Sequence, residues 1–300
     1  MSRVAVVGSV ALDTIETPAG RAERELGGAA THFAVAASYF VPVHVIAVAG
    51  DDFPAAHCEY LAAKGVDLAG LERRPGRSLF WHGRYHEDMN LRDTLTFEPG
   101  VFAGFEPRLA EDARTAPYVF LGVIDPAIQA RVLDQLAAPV LVGLDTIEHY
   151  IVNTREPLVR LLARVDLLVI NDGEARLLTG EGNVARAARR ILELGARSVL
   201  VKRGEYGAIL FSPGSVFAVP AFPLEHVFDP TGAGDTFAGG LMGHLAATGD
   251  TSERNLRRAI VYGSVLASFV VEDFGGRRMR TLTRDDVERR YRQFVALTEF

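Results

Sequence analysis

"DPTGAGD", residues 229–235, sets two carboxylates around two glycines, and an apolar run, "TFAGGLMGHLAA" (236–247), follows at once. The run predicts a helix that begins near Gly232. Small residues there let the backbone approach a ligand closely. The first helical turn leaves N–H groups without internal partners, at the positive end of the helix dipole. Together these features favour an anion, phosphate above all. Asp235 would repel that anion, so a loop built only to hold one has little reason to carry it. A base for a substrate hydroxyl does have a reason. The plainer alternative is that Asp229 or Asp235 caps the helix.

Outward from this loop, apolar β-branched runs alternate with helical patterns. "RVAVV" (3–7), "VHVIAVAG", "YVFLGVI", "VLVGLD", "DLLVIN" and "SVLVKRG" read as buried strands. "GGAATHFAVAASYF", "DFPAAHCEYLAAKGVD", "PAIQARVLDQLA", "TREPLVRLLARV" and "NVARAARRILELG" read as helices between them. This order predicts an α/β fold with a mostly parallel sheet covered by helices on both faces. No Pro-, Gly- or Ser-rich linker and no repeat divides the chain, so one domain over 1–300 is expected.

"GRSLFWHGRYHEDMNLRDTLTFEPG", residues 76–100, breaks the alternation with two polar-interleaved strands. With residues about 10–20 it is expected to form a small β-sheet lid, since open α/β sheets bind ligands at the carboxyl ends of their strands. An ordinary surface hairpin is the alternative. Phe80, His82 and Arg84 fall on one strand face, Trp81 and Tyr85 on the other. An aromatic face there could stack on a base or sugar, pack on the sheet, or meet a second subunit's lid as a homodimer.

Composition excludes several classes. The formal net charge is −6 and no Lys/Arg block stands out, so no nucleic-acid partner is expected. No run of about eighteen apolar residues occurs, so no membrane span is expected. The single cysteine, Cys58, cannot form an internal disulfide, which fits a reducing cytoplasm. A P-loop pattern is missing, and "GSVALD" stands where a dinucleotide fold would carry G-x-G-x-x-G.

The segment "DPTGAGDTFAGG" closely resembles the C-terminal signature of the ribokinase-like, or PfkB, carbohydrate kinases. "GGAATHFAVAAS" resembles their Gly-Gly signature, "NDGEARLLTG" their Asn-x-x-Glu segment, and "VKRGEYGAIL" the strand–turn–strand beside the nucleotide. The resemblance implies an ATP-dependent kinase acting on an alcohol, first a primary hydroxyl of a sugar or sugar derivative, then a ribonucleoside. A catalytically inactive sensor is the rival from another class, and retention of Asp235 argues against it.

By the same resemblance Asp235 would be the base, and Gly232, Ala233 and Gly234 the N–H donors to the phosphoryl group. Asn171 and Glu174 would organise Mg²⁺ through water; a capping box is their other reading. Lys202, Gly204 and Gly207 would border the nucleotide, with a solvated surface charge the alternative for Lys202. Asp229 and Thr231 would offer oxygens to K⁺. On the substrate side the resemblance implicates Asp13, Gly27, Gly28, His32 and Asp125. Asp125 reads equally as the N-cap of the helix that Pro126 opens. Where ribokinases carry polar residues on the sugar, this chain has Ala11, Ala29 and His32, so plain ribose is not the expected substrate.

Overall fold

The apolar runs become a nine-stranded sheet whose two faces bury two separate cores. A computed structural model describes residues 3–299. Its strands are β1 (Val4–Val7), β2 (Ala11–Thr17), β3 (Gly20–Gly27), β4 (Val43–Ala49), β5 (Val66–Arg73), β6 (Leu79–Tyr85) and β7 (Arg92–Glu98). There follow β8 (Tyr118–Leu121), β9 (Leu141–Asp145), β10 (Leu167–Asn171), β11 (Val199–Lys202), β12 (Ala208–Ser212) and β13 (Ser215–Val219). The large sheet runs β13-β12-β11-β10-β9-β8-β1-β4-β5. It is parallel from β5 to β11, and β12 and β13 close it as antiparallel strands.

Period-two alternation divides β1 between the cores: Val4 and Val6 join one, Ala5 and Val7 the other. The first core lies under the helices Ala29–Ala37, Ala233–Thr248 and Glu253–Val270. Glycines in "TFAGGLMG" let these helices touch. A Cβ at Gly239 would overlap the Phe33 carbonyl, and one at Gly240 would stand 3.1 Å from the Gly263 backbone. The chain leaves β1 toward β4 on one side and later returns to β8 on the other. This reversal makes a crevice outside the carboxyl ends of β1 and β8, the usual ligand position in such sheets.

A smaller sheet, ordered β3-β2-β6-β7, completes the ribokinase-like α/β architecture. Residues 79–85 and 92–98 form two strands, as the alternation predicts. Sequence patterning misses β3, because "GRAERELG" is charged and its burial alternates poorly. A register shift between Asp13 and Ile15 and a left-handed Arg24 (φ 51°) break its period further. Patterning also misses edge strand β5 and the C-terminal helices Glu253–Val270 and Arg284–Thr298. Among the described residues no single helix is long and apolar enough to cross a membrane.

Candidate active site

The Gly-Gly turn is built around Asp13. A Cβ at Gly27 would overlap the Asp13 carboxylate, so a bare residue is required there. Gly28 takes a left-handed φ of 98° beside the Ser9 backbone and starts the helix Ala29–Ala37. Ser9 Oγ accepts from the Ala29 N–H at 3.0 Å, and Thr31 Oγ1 donates to the Gly27 carbonyl at 2.6 Å. Asp13 is buried, and burial pushes its carboxyl up to about 8, helped by the charges of Asp229 and Asp235. Three carboxylates thus converge from β2 and the "DPTGAGD" loop.

In that loop Gly232 is left-handed (φ 74°) and serves as N-cap of Ala233–Thr248. The Ala233 N–H already donates to the Pro230 carbonyl at 3.1 Å. The N–H groups of Gly232, Gly234 and Asp235 find no backbone acceptor among the described residues, which leaves them as the donors of the helix start. Asp235, at the third helical position, is raised above the usual carboxylate range by burial, against the opposing charges of Lys202 and Arg92.

Asp229 is engaged inside the protein: one oxygen accepts from Thr231 N and the other from Gly275 N, both at 2.8 Å. It staples the loop to the segment Phe274–Gly276. Thr231 Oγ1 donates to the Tyr85 hydroxyl at 3.2 Å. The Asp229 carboxylate and the Thr231 hydroxyl thus fix the shape of the turn whose oxygens are expected to face K⁺.

His32 packs its ring against Gly232, where a Cβ would collide with it, and lies near Gly276. With Leu26, Tyr60 and Met279 it borders a small cavity of about 20 Å³. Burial pulls its pKa down to about 4, opposed by Asp229, so the imidazole is neutral. Asp125 turns out to be the helix cap: its Oδ1 accepts from the Ala127 N–H at 2.7 Å, ahead of Pro126 at the first helical position.

On the other flank Asn171 and Glu174 form a capping box. Asn171 Oδ1 accepts from Glu174 N at 2.8 Å, and Glu174 Oε2 accepts from Asn171 N at 3.0 Å. Burial, then the charge of Asp145, raises Glu174 to about 7. Lys202, at the end of β11, is no solvated surface charge. Its Nζ donates to Asp145 Oδ2 at 2.9 Å, and a Cβ on Gly234 would stand 2.8 Å from that Nζ. Asp145 is itself buried and raised to about 6, with Lys202 restraining the shift. Asp145, Glu174 and Asp235 thus surround one ammonium group with excess negative charge. Hard oxygens in such excess suit Mg²⁺ held through water.

The small sheet borders the same crevice. Besides Tyr85, it contributes Asn90, whose side chain fills the space above Gly204, and Arg92, whose charge acts on Asp13 and Asp235. Gly204 (φ 53°) and Gly207 (φ 86°) shape the turn between β11 and β12. The structure therefore brings together Asp13, Asp229, Asp235, Lys202 and Glu174. Sequence reading missed Asp145, Asn90 and Arg92. An Asp at the carboxyl end of the apolar strand "VLVGLD" was the available signal for Asp145.

A model of the pfkB family carbohydrate kinases matches residues 1–282. The cytidine kinase of Thermococcus kodakarensis is 30% identical over 280 residues, covering 92% of this chain and 98% of that protein. The nucleoside kinase of Methanothermobacter thermautotrophicus is 26% identical, covering 83% and 79%. Among solved structures, a nucleoside kinase of Methanocaldococcus jannaschii superimposes with a TM-score of 0.78 at 21% identity, covering 98% of this chain and 99% of that one. A Burkholderia thailandensis nucleoside kinase in complex with inosine gives a TM-score of 0.78 at 21% identity, covering 98% of each chain. At these identities the two structures speak for the fold.

Proposed function

The chain belongs to the pfkB family of carbohydrate kinases, ATP-dependent phosphotransferases that act on small-molecule alcohols, and from that premise we propose that it phosphorylates a primary hydroxyl of a ribonucleoside. Sequence reading ranked a sugar first and a ribonucleoside second. The full-length likeness to a cytidine kinase favours the reverse order.

One observation carries the reading. Asp13 on β2 pairs with Trp81 on β6, and Trp81 pairs with Phe97 on β7. Residues paired across a sheet project from one face, at roughly 4.8 Å per strand. A carboxylate that can hold a vicinal diol is therefore continued by two aromatic rings. Phe97 is 57% exposed, so its ring is free to meet a ligand. Tyr85 and Arg92 form a further pair on the same face. A pentose alone reaches only the first position of the row; a nucleoside extends its base along it. The small sheet in this reading is a cover over the crevice.

ATP is the phosphoryl donor in this reading, and Glu174 and Asn171 would hold Mg²⁺ through water, where the ion would offset the charge of the phosphates. Asp235 takes the proton as the substrate hydroxyl attacks phosphorus, and the bond to the leaving ADP oxygen breaks. Its raised basicity suits that task. The N–H groups of Gly232, Gly234 and Asp235 meet the charge that develops on the phosphoryl oxygens. Lys202, held by Asp145 beside Gly234, adds a positive charge there. Asp13 orients the ribose, and Gly27 and Gly28 give it room. His32 steadies the loop at Gly232, and Gly204 and Gly207 shape the nucleotide edge.

The test is a comparison of Trp81→Ala and Phe97→Ala with the wild type on cytidine, adenosine and free ribose. Base–aromatic stacking is worth about 1–3 kcal/mol, so kcat/KM for nucleosides should fall about tenfold while that for ribose stays level. Equal losses on all three substrates would refute the stacking row.

A further inference from the structure

A second cluster of metal-ligating side chains lies at the opposite end of the large sheet from the crevice. His44 stands at the start of β4, and the register sets it directly beside Asp67 at the start of β5. The helix Glu111–Arg114 brings Asp112 to the same point. We propose that His44, Asp67 and Asp112 form a binding site for a single divalent transition metal of the Zn²⁺ type, which clamps the edge strand β5 and that helix to the sheet.

The geometry points inward. His44 Nδ1 lies 2.8 Å from Asp67 Oδ2 and 3.7 Å from Asp112 Oδ2, and one ligand atom from each residue falls within 4.8 Å of the others. The outer oxygen of each carboxylate is held by a backbone donor. Asp67 Oδ1 accepts from Ala69 N at 2.9 Å, and Asp112 Oδ1 accepts from Ala113 N at 3.0 Å. Both inner oxygens are thereby turned toward the imidazole. Such outer partners are what orient ligands at established metal centres.

The imidazole is only 5% exposed, and its Nε2 has no hydrogen-bond partner among the described residues. Packing on β4 therefore orients the ring on that side, and the outer hydrogen bonds of the site are those of the two carboxylates. A cleft of about 430 Å³, lined by Arg3, Pro42, Val43, His44 and Asp67, opens beside the cluster and gives a metal its entry and its water ligands. Arg3 approaches Asp112 to 3.8 Å, but it is 55% exposed and can swing into water.

One nitrogen and two carboxylates make a borderline donor set. It suits Zn²⁺, with Co²⁺ as its spectroscopic substitute, better than Mg²⁺, which prefers an all-oxygen octahedron. The ligands come from two paired strands and a helix, so binding should stabilise the fold. It should leave chemistry at the far end of the strands unchanged.

The experiment titrates chelator-treated enzyme with Zn²⁺ alone by calorimetry, and with Co²⁺ alone by visible absorption. Wild type, Asp67→Asn and Asp112→Asn are compared; both acids are exposed enough for the variants to fold. The expected result is one equivalent bound by the wild type, a Zn²⁺-dependent rise in Tm, and affinity lower by at least about tenfold in each variant. Metal-free enzyme should keep its phosphotransfer with Mg²⁺ and ATP, so this proposal and the kinase reading fail separately. Absence of saturable one-equivalent binding, or unchanged affinity in either variant, would overturn it.

Discussion

Lys202 Nζ lies 2.9 Å from Asp145 Oδ2, and this pair joins the ends of β11 and β9 beneath Gly234. Both side chains are largely buried, with 18% and 4% of their surface exposed. Removing one partner strands the other charge. Lys202→Met should destabilise the protein by about 3–5 kcal/mol, whereas Lys202→Met with Asp145→Leu should recover most of that loss and stay inactive. Urea denaturation of the three proteins measures it. A single mutant as stable as the wild type would mean that the pair is open to solvent.

Asp235→Asn removes the proposed base and preserves the shape of the loop. Its kcat should fall by about 10²–10⁴ while nucleotide affinity stays near the wild-type value. Steady-state kinetics together with a nucleotide-binding titration would separate the two. A kcat above about a tenth of wild type would remove Asp235 from this role.

Gly234 and Gly232 should respond differently to alanine. At Gly234 the new methyl meets only the tip of Lys202, which can move, so the protein should fold normally and lose turnover. At Gly232 it meets the buried His32 ring and a left-handed backbone, so stability should drop by about 1 kcal/mol or more. Parallel melting and turnover measurements decide. An active Gly234→Ala would show that Lys202 is not needed beside the loop.

Asp13 makes the apoprotein's stability depend on pH. Its folded pKa, about 8, exceeds the unfolded value of 3.8. The folded state therefore binds more protons between these limits, and the stabilising effect of that proton is lost as pH rises toward 8. His32, lowered to about 4, has its own window below pH 6.5 and is silent above it. Between pH 6.5 and 8.5 the wild type should lose stability more steeply than Asp13→Asn. Identical slopes in urea titrations at those pH values would contradict the burial of an unpaired Asp13.

Much of this was readable in sequence because it is local. The loop at 229–235, the Gly-Gly turn and the Asn171 cap each lie within one short stretch, and the strands of the large sheet are apolar throughout. The rest depends on long-range pairing. Asp145 meets Lys202 only because β9 and β11 flank β10, and Asn90 reaches Gly204 through a turn of the small sheet. Asp125 satisfied two patterns, and its cap geometry favours the nearer one. β3 escaped because its charges hide its period, and the His44–Asp67 pairing is a matter of register alone.

The most direct test is the wild-type kcat/KM, with ATP and Mg²⁺, across cytidine, adenosine, inosine, ribose and fructose. In the proposed reading Ala11, Ala29 and His32 offer ribose fewer polar contacts, at about 1–3 kcal/mol for each unsatisfied group, while Trp81 and Phe97, paired across the small sheet, would offer a base its platform. A ribonucleoside should therefore be the best substrate, exceeding free ribose by at least about tenfold. If ribose or fructose equals or exceeds every nucleoside, the ribonucleoside reading is wrong.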